Sequence, residues 1–453
     1  MRTNFRQRWQ NLSETRRKVV RNVAWAMLGK AVSMVGVLFV GILVGRYLGP
    51  EKYGLMNYVI SFVALFEILS EFGLGNIEIR ELAKDPGGRD TIMGTCFALR
   101  MAFAVAAYLL LWAVVSATED DPYTRNVIGA YGLCLFAFPF NVARNYFTSI
   151  VKNEYVVKSQ IARTVLGALI KIVLLWRRMS LTWFILAAGF DFYLLAAGYA
   201  QAYRTQAGRF RDWRFDSRRI PFLLAESFPL LLSGAAVIVY QRIDQVMIKH
   251  LVSKEGVGYF ATAGMFLNVV LFLPTVLVQT VTPLLVRLRK ENAPAYRKKA
   301  EEVTGGVTWL SILMALAVTL SAPWMIGWTY GAKYGAAVPI LQVLVWKTVG
   351  MALSTTSGHL IVIEGIQKWT VLRNLLGCVA CVGLNWFLLP RWGVMGAAWA
   401  TLATVGLSGF LANGLIPPYR GIFLLQIRSL ATGWKWLFRT RSLFSGKKEV
   451  AHA

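Results

Sequence analysis

The chain has 453 residues, 56% of them hydrophobic and 16% charged, with 49 Lys and Arg against 23 Asp and Glu and a formal net charge of +26. An ordinary soluble domain is roughly 25% charged, so this composition excludes a water-soluble globular protein and makes lipid the main solvent of its surface. The positive excess would suggest nucleic acid in a soluble protein, but Lys and Arg accumulate in the cytoplasmic loops of membrane proteins, and no nucleic-acid partner is expected.

Arg2, Arg6, Arg8, Arg16, Arg17, Lys18 and Arg21 precede the first apolar run. The nearby A-x-A, Ala24 to Ala26, lies at the start of that run and not after it, so residues 1–22 read as the cytoplasmic tail of an uncleaved span. The first two runs, 23–44 and 53–74, are separated by Gly49-Pro50, a pair that breaks a helix because proline disfavours helical geometry in the residue before it. Both carry charge that lipid should exclude. Lys30 sits about 10 Å into the first at 1.5 Å per residue, and Glu67 and Glu71 lie four apart on the second. A lone span would not tolerate that, so a bundle is expected.

Further apolar runs occupy 91–116, 127–150, 156–176 and 181–202, then 221–248, 257–285, 303–330, 336–363, 369–389 and 394–416. Each approaches the roughly 20 residues that cross a bilayer core, giving an all-α polytopic protein of about twelve transmembrane helices. The expected plan is an N-terminal lobe of six spans (23–204), a basic linker (205–220), a C-terminal lobe of six (221–416) and a basic tail (417–453). Lys and Arg are roughly threefold more frequent in the termini and loops on the N-terminal side than in the loops opposite, which places both termini in the cytoplasm. The linker interleaves Phe210, Trp213 and Phe215 with Arg209, Arg211, Arg214, Arg218 and Arg219, a pattern suited to anionic lipid headgroups. Phe423, Leu424, Ile427, Leu430, Trp434 and Leu437 with Arg428, Lys435, Arg439 and Arg441 make the tail an expected amphipathic helix on the inner leaflet.

The two sets of six resemble each other. Glu154, Arg163, Gly167 and Trp176 correspond to Glu364, Arg373, Gly377 and Trp386, while Tyr53-Gly54 answers to Val257-Gly258 slightly out of phase. A six-helix unit duplicated in one orientation is a parallel repeat, related by an axis along the membrane normal and enclosing a central cavity.

Three motifs occur in order: Gly45 to Gly54 (GRYLGPEKYG), Tyr330-Gly331-Ala332-Lys333-Tyr334 ahead of Ala337 and Leu341, and Gly393 to Thr401 (GVMGAAWAT). Together they resemble the polysaccharide-exporter branch of the multidrug, oligosaccharidyl-lipid and polysaccharide (MOP) superfamily, with O-antigen flippases of the Wzx type as its best-known members. The resemblance implies a two-lobed, MATE-like flippase that turns an undecaprenyl-pyrophosphate-linked oligosaccharide from the cytoplasmic to the outer leaflet of the cell membrane. Its expected partners are that cargo, membrane lipids and a glycan polymerase, with no cofactor. Related lipid II flippases commonly carry two further helices after the twelfth, where this chain has a basic tail.

Such cargo needs a wet, cationic, hydrogen-bonding cavity while its polyprenyl chain stays in lipid. The intramembrane charges are mostly basic. Lys30, Arg100, Arg144, Arg163, Lys171, Arg242 and Arg373 each cost roughly 2.5–3.5 kcal/mol at mid-bilayer if they face lipid, so they should face a cavity or a partner. Arg163, Gly167 and Lys171 share one helical face, and Lys171 is too deep to snorkel to the cytoplasmic edge. For Lys30, Arg144 and Arg373, snorkelling or structural pairing is an equal reading, and pairing with Asp244 is one for Arg242. Asn268, Thr275, Gln279 and Thr282 form a polar stripe that could meet sugar hydroxyls or neighbouring helices. Glu67, Glu71, Asp191, Glu226, Asp244 and Glu364 are candidates for proton or sodium coupling, or for neutralising the buried cations. Gly41, Gly45 and Gly49 have the spacing of close helix packing.

The sequence carries no phosphate-binding G-x-x-x-x-G-K-[ST], no catalytic triad and no metal cluster, and Cys96, Cys134, Cys378 and Cys381 all fall within expected spans, so no enzyme and no metal site are expected. A multidrug exporter of the same superfamily would handle organic cations, for which a cavity of Arg and Lys has the wrong sign. A glycosyltransferase would need an acidic metal site or a large outer domain, and the outer loops here are short. The charge asymmetry makes a direct prediction: cysteines introduced at Thr118 and Lys254 should react with an impermeant thiol reagent outside intact cells, whereas reaction at Ser217 alone would reverse the orientation.

Overall fold

The computed structural model describes the backbone of residues 14–437 and side chains from 32 to 435, with Gly29; the side chain of Lys30, residues 1–13 and the tail positions Arg439 and Arg441 lie outside the described residues. Every long element is helical. In chain order these are α1 (Glu14–Glu71), α2 (Leu74–Lys84), α3 (Arg89–Thr118), α4 (Pro122–Gly132), α5 (Asn141–Ser149), α6 (Asn153–Trp176), α7 (Leu181–Gln206), α8 (Ile220–Leu251), α9 (Lys254–Glu291), α10 (Ala293–Thr329), α11 (Ala337–Leu344), α12 (Lys347–Ile363), α13 (Thr370–Gly406), α14 (Ala412–Leu415), α15 (Arg420–Thr432) and α16 (Trp434–Leu437).

Among the described residues, 10 segments are long and apolar enough to cross a membrane. Two of these, Val32–Lys84 and Gln367–Leu415, each hold two of the expected runs, which reconciles the ten segments with the twelve spans read from the sequence. The break within each is one glycine. Gly49 (φ 74, ψ 170) interrupts α1 and Gly393 (φ 54, ψ −141) interrupts α13, so helical geometry resumes at once on either side. Both lie in the left-handed region that a side chain disfavours, which is why glycine stands there. The expected run 127–150 is instead broken into α4, a 3₁₀ turn from Leu133 to Phe140, and α5, with Pro139 withholding a backbone donor inside the turn.

The chain forms two compact units, Met1–Tyr47 with Val59–Ala235, and Leu48–Tyr58 with Ala236–Ala453. The first has a core of Leu74, Ile92, Met93, Val142, Phe147, Tyr199 and Tyr203. The linker belongs to it. Phe210 and Trp213, read as lipid-facing from the sequence, fold back instead: the Trp213 indole donates to the Tyr203 hydroxyl at 3.0 Å and lies 5.4 Å from the Phe97 ring. The Arg214 and Asp216 amides then donate to the Asp90 carbonyl and the Thr95 hydroxyl of α3. Phe215 and Arg209, Arg211, Arg214 and Arg218 stay exposed.

The second unit repeats the order of a long helix, a broken helix and two further long runs: α10, then a 3₁₀ turn with α11 and α12, then α13 on either side of Gly393. It carries the tail as well. α15 was expected to lie on the leaflet, but one face is docked, with the Gln426 amide donating to the Leu353 and Gly409 carbonyls and the Ser429 hydroxyl to the Glu301 carbonyl. Its polar buried face forces this, since unpaired amides in an apolar setting are costly. Leu424, Ile427 and Trp434 remain exposed on the other side.

Within the second unit the matched positions Gly54 and Gly258 meet. A Cβ on Gly54 would lie 1.9 Å from the Lys254 carbonyl oxygen, and one on Gly258 would lie 2.1 Å from the Pro50 carbonyl oxygen. Each glycine thus faces the carbonyl four residues before the other, the reciprocity that a two-fold axis through the crossing produces. Beside it Tyr53, Tyr259, Tyr330 and Tyr334 form one aromatic cluster, with Tyr330 and Tyr334 rings 4.9 Å apart. Burial pushes the Tyr334 phenol above its ordinary range, and Tyr53 and Tyr259 add to it. Replacing Gly258 with Ala should cost about 1–3 kcal/mol in thermal unfolding of the purified protein. Gly264→Ala, with nothing within 4 Å of its Cβ, should be neutral, and equal effects would contradict the close approach.

Candidate functional site

Helices that cross lipid bury apolar side chains with no difficulty, so the informative residues are the charged ones. In the first unit the fully buried Arg100 of α3 donates from Nε to Oε1 of Glu78 at 2.7 Å, and Nη1 lies 3.9 Å from Glu71. Asn145 of α5 donates to the other Glu78 oxygen, and Asn141 donates to Glu71 at 2.7 Å. Arg100 therefore sits in a closed ion pair and not on an open cavity wall. The apolar run of the second span ends at Leu74, ahead of Glu78; α2 carries that carboxylate inward, so hydropathy gives no sign of the pairing.

Lys171 on α6 forms an ion pair with Asp191 on α7. Gly167 makes room for it, since a Cβ there would meet Asp191 Oδ1 at 2.2 Å. Two residues that the sequence assigned to different roles, cargo binding and ion coupling, are thus joined. Each neutralises the other.

Arg144 and Arg163 are different. They line one cavity of about 560 Å³ within the first unit, together with Ser33, Asn145, Thr148, Asn153 and Gln160. Arg144 donates from Nε to the Asn145 side-chain oxygen at 3.3 Å, so the buried Glu78 network positions this arginine through an amide. Both guanidinium groups act electrostatically on the buried Tyr199 hydroxyl, which is hydrogen-bonded to Gln160. Neither arginine has a carboxylate within 4 Å among the described residues. The lining offers two cations, amides and hydroxyls and no acid, a set that suits a phosphorylated and hydroxylated ligand.

The second unit distributes the remaining residues. Asp244 is buried and accepts from Asn385 at 2.6 Å, Thr401 at 2.8 Å and Cys381 at 3.4 Å, with the Lys347 ammonium acting on it electrostatically. Its partners come from α13 and α12 and not from Arg242, which lies half-buried two residues away on α8, where i and i+2 do not face each other. Asn385, Thr401 and Lys347 gave no signal in sequence, because single polar residues in apolar runs look like helix contacts. Arg373 is buried and donates to the Ser357 hydroxyl at 3.3 Å. Asn268 and Gln279 are exposed, while Thr275 and Thr282 donate to carbonyls one turn back in their own helix, so the stripe is not a single polar wall. Glu364 is exposed and accepts from Tyr296, and Glu226, also exposed, pairs with Arg80 at 3.0 Å. Glu67 and Glu71 are half-buried in the first unit. No group of three or more His, Cys, Asp or Glu able to hold a metal occurs among the described residues. The four cysteines are free thiols.

The architecture is the all-α, polytopic fold of the MOP superfamily. It is similar to the lipid II flippase MurJ in an inward closed conformation (TM-score 0.69, 12% identity, covering 92% of this chain and 93% of that one). It is similar also to a MATE family multidrug resistance transporter in its inward-facing conformation (TM-score 0.62, 15% identity, 89% and 96% covered). A third likeness is a MOP superfamily transporter from Pyrococcus furiosus, described with a binding pocket of reversed polarity that suggests a different function for that protein (TM-score 0.57, 13% identity, 95% and 96% covered). No curated protein matches by sequence. The model of the polysaccharide biosynthesis protein family matches residues 19–289, more than half of the 453, and the chain belongs to that family.

The ion pair on α6 and α7 can be weighed directly. Lys171→Met should destabilise the protein by about 2–3 kcal/mol, because Asp191 is left charged and partly desolvated. The double variant with Asp191→Asn should recover most of that loss in thermal unfolding, and simple additivity of the two changes would contradict the pairing.

Proposed function

We propose that the protein is an alternating-access flippase that turns a polyprenyl-diphosphate-linked oligosaccharide from the cytoplasmic to the outer leaflet for surface polysaccharide synthesis. The observation that carries this reading is the match to the polysaccharide biosynthesis family over a unit whose polar pocket holds Arg144 and Arg163 and no acid. A diphosphate carries its charge on oxygens that guanidinium groups bind in pairs, and the sugar beside it needs amides and hydroxyls such as Asn153, Gln160 and Thr148. Membrane lipids and a glycan polymerase are the partners such a role requires. The cell membrane, with both termini cytoplasmic, is the location.

A second reading, a flippase for the peptidoglycan precursor lipid II, shares the polyprenyl diphosphate and is favoured by the likeness to MurJ. A multidrug exporter has the likeness to MATE transporters in its favour. Against it stands the sign of the pocket, since organic cations would be repelled by two arginines.

The lipid-linked sugars of a strain lacking the gene separate these roles. The proposal expects full-length precursor to accumulate while surface glycan falls; a normal precursor pool with raised sensitivity to organic cations would contradict it, and accumulation of lipid II with unchanged surface glycan would select the second reading.

A further inference from the structure

The polar pocket has an apolar neighbour between α1 and α6, two of the helices that also line the pocket. Val32, Val35 and Gly36 of α1 and Thr164, Val165 and Ala168 of α6 line a crevice of about 420 Å³. Between the two cavities Ser33 and Thr164 share a hydrogen bond at 3.2 Å, Ser33 lining the polar pocket and Thr164 the apolar crevice. The helices come close here because the contact residues are small: a Cβ on Gly29 would lie 2.5 Å from Val157, and one on Gly36 would lie 2.5 Å from Thr164. Val35 and Val165 are exposed along the crevice, which is open outward and not sealed in the core.

The order along α6 is directional. Asn153, Gln160 and Arg163 belong to the polar pocket, and Val165 and Ala168 follow in the apolar crevice, the stretch from Gln160 to Ala168 covering about 12 Å of helix. A lipid in the leaflet nearest the start of α6 has the same order, charged head first and hydrocarbon deeper. We infer that the first unit holds an anionic isoprenoid lipid by its head and the start of its chain, its diphosphate between Arg144 and Arg163 and the first isoprenes in the crevice between α1 and α6, with Ser33 and Thr164 marking the junction. This rests on the flippase reading and adds to it where on the protein the head separates from the chain. Arg100 and Lys171 take no part, because Glu78 and Asp191 already hold them.

The test uses the full chain in nanodiscs and three probes. One is polyprenyl-diphosphate-N-acetylglucosamine with a photoreactive diazirine in the isoprene next to the diphosphate. The second is UDP-N-acetylglucosamine, the same kind of head without the chain, and the third is ethidium. Crosslinks should map to residues 32–36 and 164–168, and UDP-N-acetylglucosamine should compete them out. Arg163→Gln should lower the yield about tenfold, the scale of a lost charge-assisted phosphate contact. Ala168→Trp should remove crosslinking while leaving UDP-N-acetylglucosamine affinity within about twofold. Val165→Trp serves the same purpose if Ala168→Trp loses its cooperative thermal unfolding. Crosslinks elsewhere that UDP-N-acetylglucosamine still competes out would overturn the crevice and leave the flippase reading standing. Displacement of the lipid probe by ethidium and not by UDP-N-acetylglucosamine would overturn both.

Discussion

A cation inside hydrocarbon needs a counter-charge, water or a ligand, and this requirement organises the protein more than any packing preference does. Glu78 and Glu71 meet it for Arg100, and Asp191 meets it for Lys171. In the second unit Asp244 is a buried acid answered by three donors and by the Lys347 ammonium. Removing either partner of such a pair leaves an uncompensated charge, so the pairs tie neighbouring helices together even where their net contribution is small. Once they are set aside, Arg144 and Arg163 remain as intramembrane cations of the first unit that line a polar cavity with no carboxylate within 4 Å, among the described residues. That subtraction carries the functional reading.

The supporting structure follows from small residues. Gly54 and Gly258 allow backbone to approach backbone at a crossing of the second unit, and Gly29, Ser33 and Gly36 allow α1 to approach α6 in the first. In lipid, helices gain nothing by hiding apolar surface from one another, so close approach and interhelical hydrogen bonds must hold them. The same closeness of α1 and α6 sets a hydroxyl junction between polar and apolar space, as an amphipathic cargo requires. Similarity over about nine-tenths of the chain to solved transporters speaks for the scaffold alone at these identities.

Much of this was legible in the sequence. Apolar run length located the spans and Gly49-Pro50 marked a break, while Gly54 and Gly258, matched in sequence only as a repeat, prove to touch. Arg144 and Arg163 were legible as candidates but could not be told apart from Arg100 and Lys171, because which acid reaches which base depends on helix rotation and on where a helix ends. Glu78 shows this most clearly: one further helix, α2, moves it from loop to core. The linker misled for a related reason. Aromatic and basic residues alternate in it as they would on a membrane surface, yet Phe210 and Trp213 find a better-packed site against Tyr203 and Phe97. On α1 the close approach at Gly29 and Gly36 gives no sign in the sequence, because hydropathy does not say which face meets a neighbour.

The central claim, that two unpaired arginines in the first unit serve an anionic lipid-linked sugar, is tested most directly by flipping itself. Purified protein in liposomes, loaded with a fluorescent polyprenyl-diphosphate-linked sugar, can be followed by the loss of fluorescence to an impermeant quencher. The account predicts translocation by the wild type and its loss in Arg163→Gln, with the charge-neutral pair Lys171→Met and Asp191→Asn still active. Equal translocation by wild type and Arg163→Gln at equal reconstitution would contradict it.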